Sequence, residues 1–180
     1  MKRVISGLLA ALLAISFAVP GLCNDDINVA SGKFGIGYAV NGSANGYLRH
    51  GISGRYWVDD TYGMEGFVSF YNSDTNGGSR DKSSWDVSGK GMYSFVTKEN
   101  SRFYGFGEIG YKEYTSNGET DGTLLVQPGV GWEYSFAEIP EVGFNIEVGY
   151  ISTFFKDKKN SKNNNTNQGT SAAFGWHYYF

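Results

Sequence analysis

After its first twenty residues this 180-residue chain has no long apolar run, and it contains one cysteine, three prolines and fewer basic than acidic residues, 15 against 18. The lone cysteine, Cys23, excludes a disulfide within the chain. A spanning helix needs ~20 apolar residues, so none is expected in the mature protein. The acidic balance does not suggest nucleic-acid binding. No zinc, phosphate-loop or nucleophile motif occurs, and no cofactor or metal is expected.

What is present begins with an export pattern. Met1-Lys2-Arg3 is a short basic region, residues 4 to 19 (VISGLLAALLAISFAV) are apolar, and Pro20-Gly21 breaks the run where a cleavage region belongs. Cleavage after Ala18 or after Cys23 fits the small-residue rule, and Cys23 is preferred. This divides the chain into a signal peptide, 1–23, and one domain, 24–180, of 157 residues (180 minus 23). Leu22 is not the small residue expected before a lipidated cysteine, so a lipid anchor is disfavoured. Losing Lys2 and Arg3 leaves 13 basic residues against 18 acidic, a net charge of −5.

The rest of the composition is rich in glycine (26), tyrosine (13) and phenylalanine (13), with four tryptophans. Turn-like clusters at 41–46, 59–61, 72–83, 98–101, 113–122, 135–142 and 153–168 separate eight alternating segments of about ten residues, the length and period of tilted barrel strands. One face runs through all eight. It includes Ile36, Tyr38, His50, Ile52, Met64, Val68, Trp85, Tyr93, Phe103, Ile109, Val126, Trp132, Ile146 and Val148, and it ends with Phe174, Trp176, Tyr178 and Phe180. No Asp, Glu, Lys or Arg lies on it. At a bilayer midplane such a charge costs ~2 to 4 kcal/mol, reason enough for the absence if this face meets lipid. The opposite face carries Lys33, Arg49, Arg55, Lys90 and Lys112 against Glu65, Asp86, Glu108, Glu133 and Glu147. A soluble sandwich would turn its charges outward and would not need to balance them, so the balanced face is the enclosed one. In lipid every backbone group must be bonded internally, which leaves a closed barrel as the expected fold: all-β, eight antiparallel strands, up-and-down, transmembrane.

The terminal AAFGWHYYF (172–180), the GFGEIGY (105–111) and GVGWEYSF (129–136) patterns and the alternation of short and long connections carry a resemblance. The chain resembles the small eight-stranded outer-membrane barrels, the family of the outer-membrane protein A barrel domain and outer-membrane protein X, over its whole mature length. The resemblance implies both ends on the periplasmic side, with 59–61, 98–101 and 135–142 as periplasmic turns. It also implies that Phe174, Trp176, Tyr178 and Phe180 form a signal read by the outer-membrane assembly machinery. Pro128 departs from the pattern, since it removes a ladder bond where a barrel has no edge, and a bulge is expected around residues 127–129.

Candidate chemistry centres on the enclosed charges. A register centred on Asp60 sets Arg55 opposite Glu65, and one centred on Glu99 sets Lys90 opposite Glu108. A salt-bridged, packed polar lumen is preferred over a gate or proton path, because buried charges pair for solvation reasons alone. Glu133 facing Glu147 would offer an acid/base pair or a cation site. Asn72, Asp74, Asn76 and Gly77 match the start of a calcium loop, but Ser83 stands where the bidentate Glu belongs. A lipid A deacylase would need an outward serine beside His50, and none shares that face, while His177 points inward. Lys156, Lys158, Lys159 and Lys162 in the last outer loop sit where lipopolysaccharide phosphates are in reach.

The expected protein is a monomer without enzymatic activity, with a structural role or a surface interaction through its outer loops. A narrow porin-like channel and a lipid A-modifying enzyme are the alternatives. The expected partners are outer-membrane lipid and lipopolysaccharide, the assembly machinery and a host or surface ligand.

Overall fold

The computed structural model describes residues 31–44, 48–73, 82–116, 119–156 and 164–180. The signal-peptide and cleavage assignments, nearly all of the calcium-like loop, and Lys158, Lys159 and Lys162 lie outside these residues. The side chain of Lys156 does too, although its backbone ends a strand.

Eight strands follow one another: β1 (Phe34–Ser43), β2 (Leu48–Trp57), β3 (Tyr62–Ser73), β4 (Lys82–Lys98), β5 (Ser101–Ser116), β6 (Glu119–Phe136), β7 (Ile139–Lys156) and β8 (Asn164–Tyr179). Each pairs antiparallel with its neighbours, and β8 returns to β1, so the sheet closes. Phe34 pairs with Tyr56, and the line continues through Met64, Gly91, Gly107 and Pro128. Extending the β6–β7 register leads to Tyr150 and Thr170, whose carbonyl accepts from the Ala44 amide at 2.9 Å. The circuit therefore returns ten residues beyond its start (44 minus 34). That stagger tilts the strands and leaves an interior just wide enough for side chains.

Alternation decides which side each residue takes. Ile36, Ile52, Met64, Ile109, Trp132, Val148 and Phe174 are exposed, while Val68 and Val87 on the same face are half-buried. Exposed large residues off that face, such as Tyr71, Val96, Tyr114 and Ile139, lie at strand ends, a bulge or a turn. Aromatic pairs ring the end of the tight turns, including Tyr62–Tyr93, Phe95–Phe103 and Tyr134–Phe136, and Trp85–Tyr111 marks the other.

Three expectations about the strands need correction. Strands β4 to β8 run to 16–18 residues rather than about ten. The expected connection at 113–122 is largely strand, with Glu113 opposite Gly122 and Thr115 opposite Thr120. Above the lipid, polar residues can continue a ladder as readily as they can turn. The bulge expected at Pro128 is absent: β5 pairs straight through it, and the β6–β7 register is the same on both sides of the unpaired residues 127 and 128. Close approach stands in for a bulge, since a Cβ at Gly129 would come within 2.5 Å of the Val148 carbonyl, and one at Gly149 within 2.7 Å of the Pro128 carbonyl. The shifts fall instead between Ser94 and Val96 and between Ser135 and Phe136, beside tight turns.

Candidate functional site in the barrel lumen

Inward positions of six strands, β3 to β8, converge on Arg55 of β2, which is 0 % exposed. Glu65 lies directly opposite it across the tight β2–β3 turn. Arg55 Nε donates to Glu65 Oε2 at 2.8 Å, Nη1 donates to Glu133 Oε2, and Nη2 donates to Glu147 Oε1 at 3.1 Å. The planar guanidinium, with five fixed donors, suits a centre among three carboxylates. Lys90 Nζ completes the cluster, 2.7 Å from Glu147 Oε2 and 3.4 Å from Glu65 Oε2. Tyr104 donates to Glu147 Oε1 at 2.8 Å, the oxygen Arg55 also bonds, and Tyr179 donates to Glu133 Oε1 at 3.0 Å.

Lys90 does stand opposite Glu108 in the β4–β5 register. Its ammonium, however, reaches across the lumen, and Glu108 instead pairs with Arg49. Arg49 also donates to Ser88 at 3.2 Å and lies 3.6 Å from Asp86. Lys112 is half-buried opposite Asp86, and Lys33 is half-buried just before β1. Glu133 and Glu147 are not cross-strand partners: Glu133 faces Asn145 and Glu147 faces Gly131. The cation they share is the protein's own guanidinium. Among the described residues, no group of three or more His, Cys, Asp or Glu is placed to hold a metal.

The lumen is not polar throughout. Trp57, Met92, Tyr104, Phe106 and Tyr179 form a buried cluster in the half nearer the tight turns. Arg102 stacks on Trp57 at 3.8 Å and donates to Ser31 at 3.1 Å, while Ser31 bonds Asp60 of the first turn. Gly32, at φ 73°, bends the preceding segment so that its amide binds the Trp57 carbonyl at 2.8 Å. Arg102 and these aromatics are site residues that the charge pattern alone did not reveal. The signal was available, because Arg102 has the same parity as Glu108 and Lys112 on β5.

One contact has the form of part of a catalytic triad: Ser53 Oγ lies 2.8 Å from His177 Nε2. A working triad needs a partner on the other ring nitrogen and access to substrate. Among the described residues His177 Nδ1 has no hydrogen-bond partner, and Ser53 and His177 are 1 % and 0 % exposed. On the outer surface, His50 is bonded to the Tyr38 hydroxyl at 2.8 Å; against expectation a serine does share the lipid face, but Ser152 lies on β7 and not on β1 or β3 beside His50.

No protein-family model and no curated protein matches the sequence. Solved structures do resemble the fold. The N-terminal β-barrel domain of Pseudomonas aeruginosa OprF aligns over 83 % of this chain and 98 % of its own, at 13 % identity and a TM-score of 0.54. The P. aeruginosa outer membrane protein OprG aligns over 86 % and 99 %, at 16 % identity and TM-score 0.50. A major outer membrane protein of Thermus thermophilus aligns over 82 % and 98 %, at 12 % identity and TM-score 0.50. At these identities the likeness is one of fold, and it agrees with a closed sheet whose outer wall is apolar and whose charges are enclosed. The chain is a small eight-stranded β-barrel of the kind that spans bacterial outer membranes.

Proposed function

We propose that this barrel serves the outer membrane as a structural or surface-interaction protein acting through its outer loops, without channel or enzymatic activity. The observation that carries the reading is the doubly closed lumen. Arg55 and Lys90 tie together carboxylates from β3, β6 and β7, and beneath them Trp57, Met92, Tyr104, Phe106 and Tyr179 form a buried cluster. An ion crossing this layer would have to be dehydrated among aromatic rings. Single-channel recording of the purified barrel in planar bilayers is expected to show no conductance steps, and a steady conducting level would reject the reading.

The porin-like alternative has one observation in its favour. Asn41 Oδ1, Asn145 Oδ1 and Ser171 Oγ are buried without a protein partner among the described residues, and buried polar atoms of this kind call for water. Such water would occupy the lumen without opening the aromatic layer. An enzymatic role is disfavoured because Ser53 and His177 are sealed inside and His50 has no serine beside it on the lipid face. Identical lipid A mass spectra from cells with and without the protein are the expected result. The lysines at 156, 158, 159 and 162 are assigned to lipopolysaccharide phosphates and Phe174, Trp176, Tyr178 and Phe180 to the assembly machinery, both as parts of this reading.

A further inference from the structure

Lipid accounts for the outward aromatics of mid-strand, and the buried cluster accounts for the inward ones nearer the tight turns. Two tyrosines at the opposite mouth belong to neither group. Tyr71, near the end of β3, shares its parity with Glu65 and Phe67, and Tyr114, near the end of β5, shares its parity with Glu108 and Lys112. Alternation therefore sets both on the lumen side of the wall. Yet they are 51 % and 36 % exposed. Membrane anchoring does not explain them, because a girdle uses the other face.

The register brings the two together. Tyr71 pairs with Ser84 of β4 and Ser84 pairs with Tyr114, so the tyrosines flank a small, half-buried serine, two strands or about 10 Å apart at the backbone. Their row lies one residue beyond Phe70, Trp85 and Glu113. Glu113 carries a charge on the outward face, so lipid has ended at that level and the row beyond it meets water. Two residues back toward the tight turns, the lumen side carries the half-buried Lys112 opposite the buried Asp86. Among the described residues, no ring contact or hydrogen bond engages Tyr71 or Tyr114.

Exposed aromatic faces among polar groups suit a ligand with an apolar face and a hydroxylated rim. A pyranose ring has that form: its C–H bonds present one face to a tyrosine ring, and its hydroxyls both donate and accept. An aromatic ligand would leave Ser84, Lys112 and the two phenols unmatched, and an organic cation would be repelled by Lys112. We propose that Tyr71 and Tyr114 form a saccharide-binding site at the outer mouth of the barrel, where their rings stack on a pyranose and Ser84 and Lys112 bond its hydroxyls. The site rests on the surface-interaction reading and names a ligand class for it. Two sources carry this chemistry, the sugars of lipopolysaccharide in the same membrane and the glycans of another surface.

The test uses the barrel in phospholipid bilayer discs with its tyrosine rings isotope-labelled. Tyr71→Phe and Tyr114→Phe assign the two signals, and Tyr62 and Tyr93, at the other end of the barrel, serve as controls. One probe is the oligosaccharide released from lipopolysaccharide of the expressing cells, and the other is a set of neutral glycans released from animal cells. The Tyr71 and Tyr114 signals are expected to move with at least one probe while Tyr62 and Tyr93 stay in place. Movement with the first assigns the site to lipopolysaccharide, and movement with the second to a foreign glycan. Tyr71→Ala and Tyr114→Ala should each weaken binding about tenfold, the loss of one stacked ring. Unmoved signals with both probes, or binding undiminished when both alanines are combined, would overturn the site. Single-channel recording of the same preparation judges the surface-interaction reading separately: conductance steps would reject that reading, and their absence beside unmoved tyrosines would reject the site alone.

Discussion

At the scale of single residues, Arg55 shows how opposition across a turn differs from a complete account of pairing. Its register with Glu65 follows from the tight turn, and a simple pair would survive a charge swap. With Glu133 and Glu147 also bonded to Arg55, the swap should fail. Arg55→Glu is expected to cost at least the ~3 to 5 kcal/mol typical of breaking a buried pair. Adding Glu65→Arg should recover less than half, because Glu at 55 still faces two carboxylates and Arg at 65 meets Lys90. Urea unfolding in lipid vesicles measures both, and near-complete recovery would refute the three-carboxylate arrangement. A second residue-scale prediction concerns the first periplasmic turn, where Asp59 Oδ1 accepts from the Thr61 and Tyr62 amides, each at 2.7 Å. Those amide bonds hold its carboxyl below the usual carboxylate range. A lowered folded-state pKa contributes stability above the unfolded value, and that contribution is lost as pH falls through the folded one. Wild type should therefore be more stable than Asp59→Asn at neutral pH, with the difference fading below about pH 4. A difference that stays constant down to about pH 2 would contradict this.

Along an element, the faces of β7 carry the clearest test. Val148 is 52 % exposed near mid-strand, and Ser152 lies four residues further out on the same face. Val148→Arg should cost ~2 to 4 kcal/mol in a bilayer and Ser152→Arg ~0 to 1, since the penalty falls toward the interface. Equal losses in refolding titrations would mean that the wall is not set in the bilayer at this height. Strand lengths also belong to this scale. Alternation located β5 and β6, but not how far they climb, because the threonines, serine, asparagine and glycines of residues 115–123 suit a loop as well as a polar ladder. Pairing between two already aligned strands extends the ladder past the point where lipid stops selecting residues. At Pro128 the local rule for proline misled for a related reason: glycines at 129 and 149 let the backbones approach without a register shift.

For the whole molecule, closure joins the last strand to the first, and the Phe180 amide donates to the Phe34 carbonyl at 2.9 Å. Beyond this, its ring packs on Tyr178. Removing Phe180 should scarcely alter refolding of purified protein into detergent, as a frayed end residue makes few contacts. Assembly in cells should fall sharply, with protein left in the periplasm, if the terminal aromatics are what the assembly machinery reads. Parallel losses in both assays would make Phe180 a structural anchor instead. Membrane fractionation beside in-vitro refolding separates the two outcomes.

The number of strands, their order, the lipid-facing side of each and the register across the β2–β3 turn were legible in the chain alone. These are consequences of a two-residue period and a solvent that rejects charge, and both act locally along the chain. Which enclosed charges meet became clear only in the closed barrel. Lys90 reaches from β4 to Glu147 on β7, and Arg55 reaches from β2 to Glu133 on β6, contacts made across the lumen and invisible to any register of adjacent strands. The aromatic layer was hidden for the same reason. Trp57, Met92, Tyr104, Phe106 and Tyr179 come from β2, β4, β5 and β8, and they become one layer because the stagger of the closed sheet brings their inward positions to a common height.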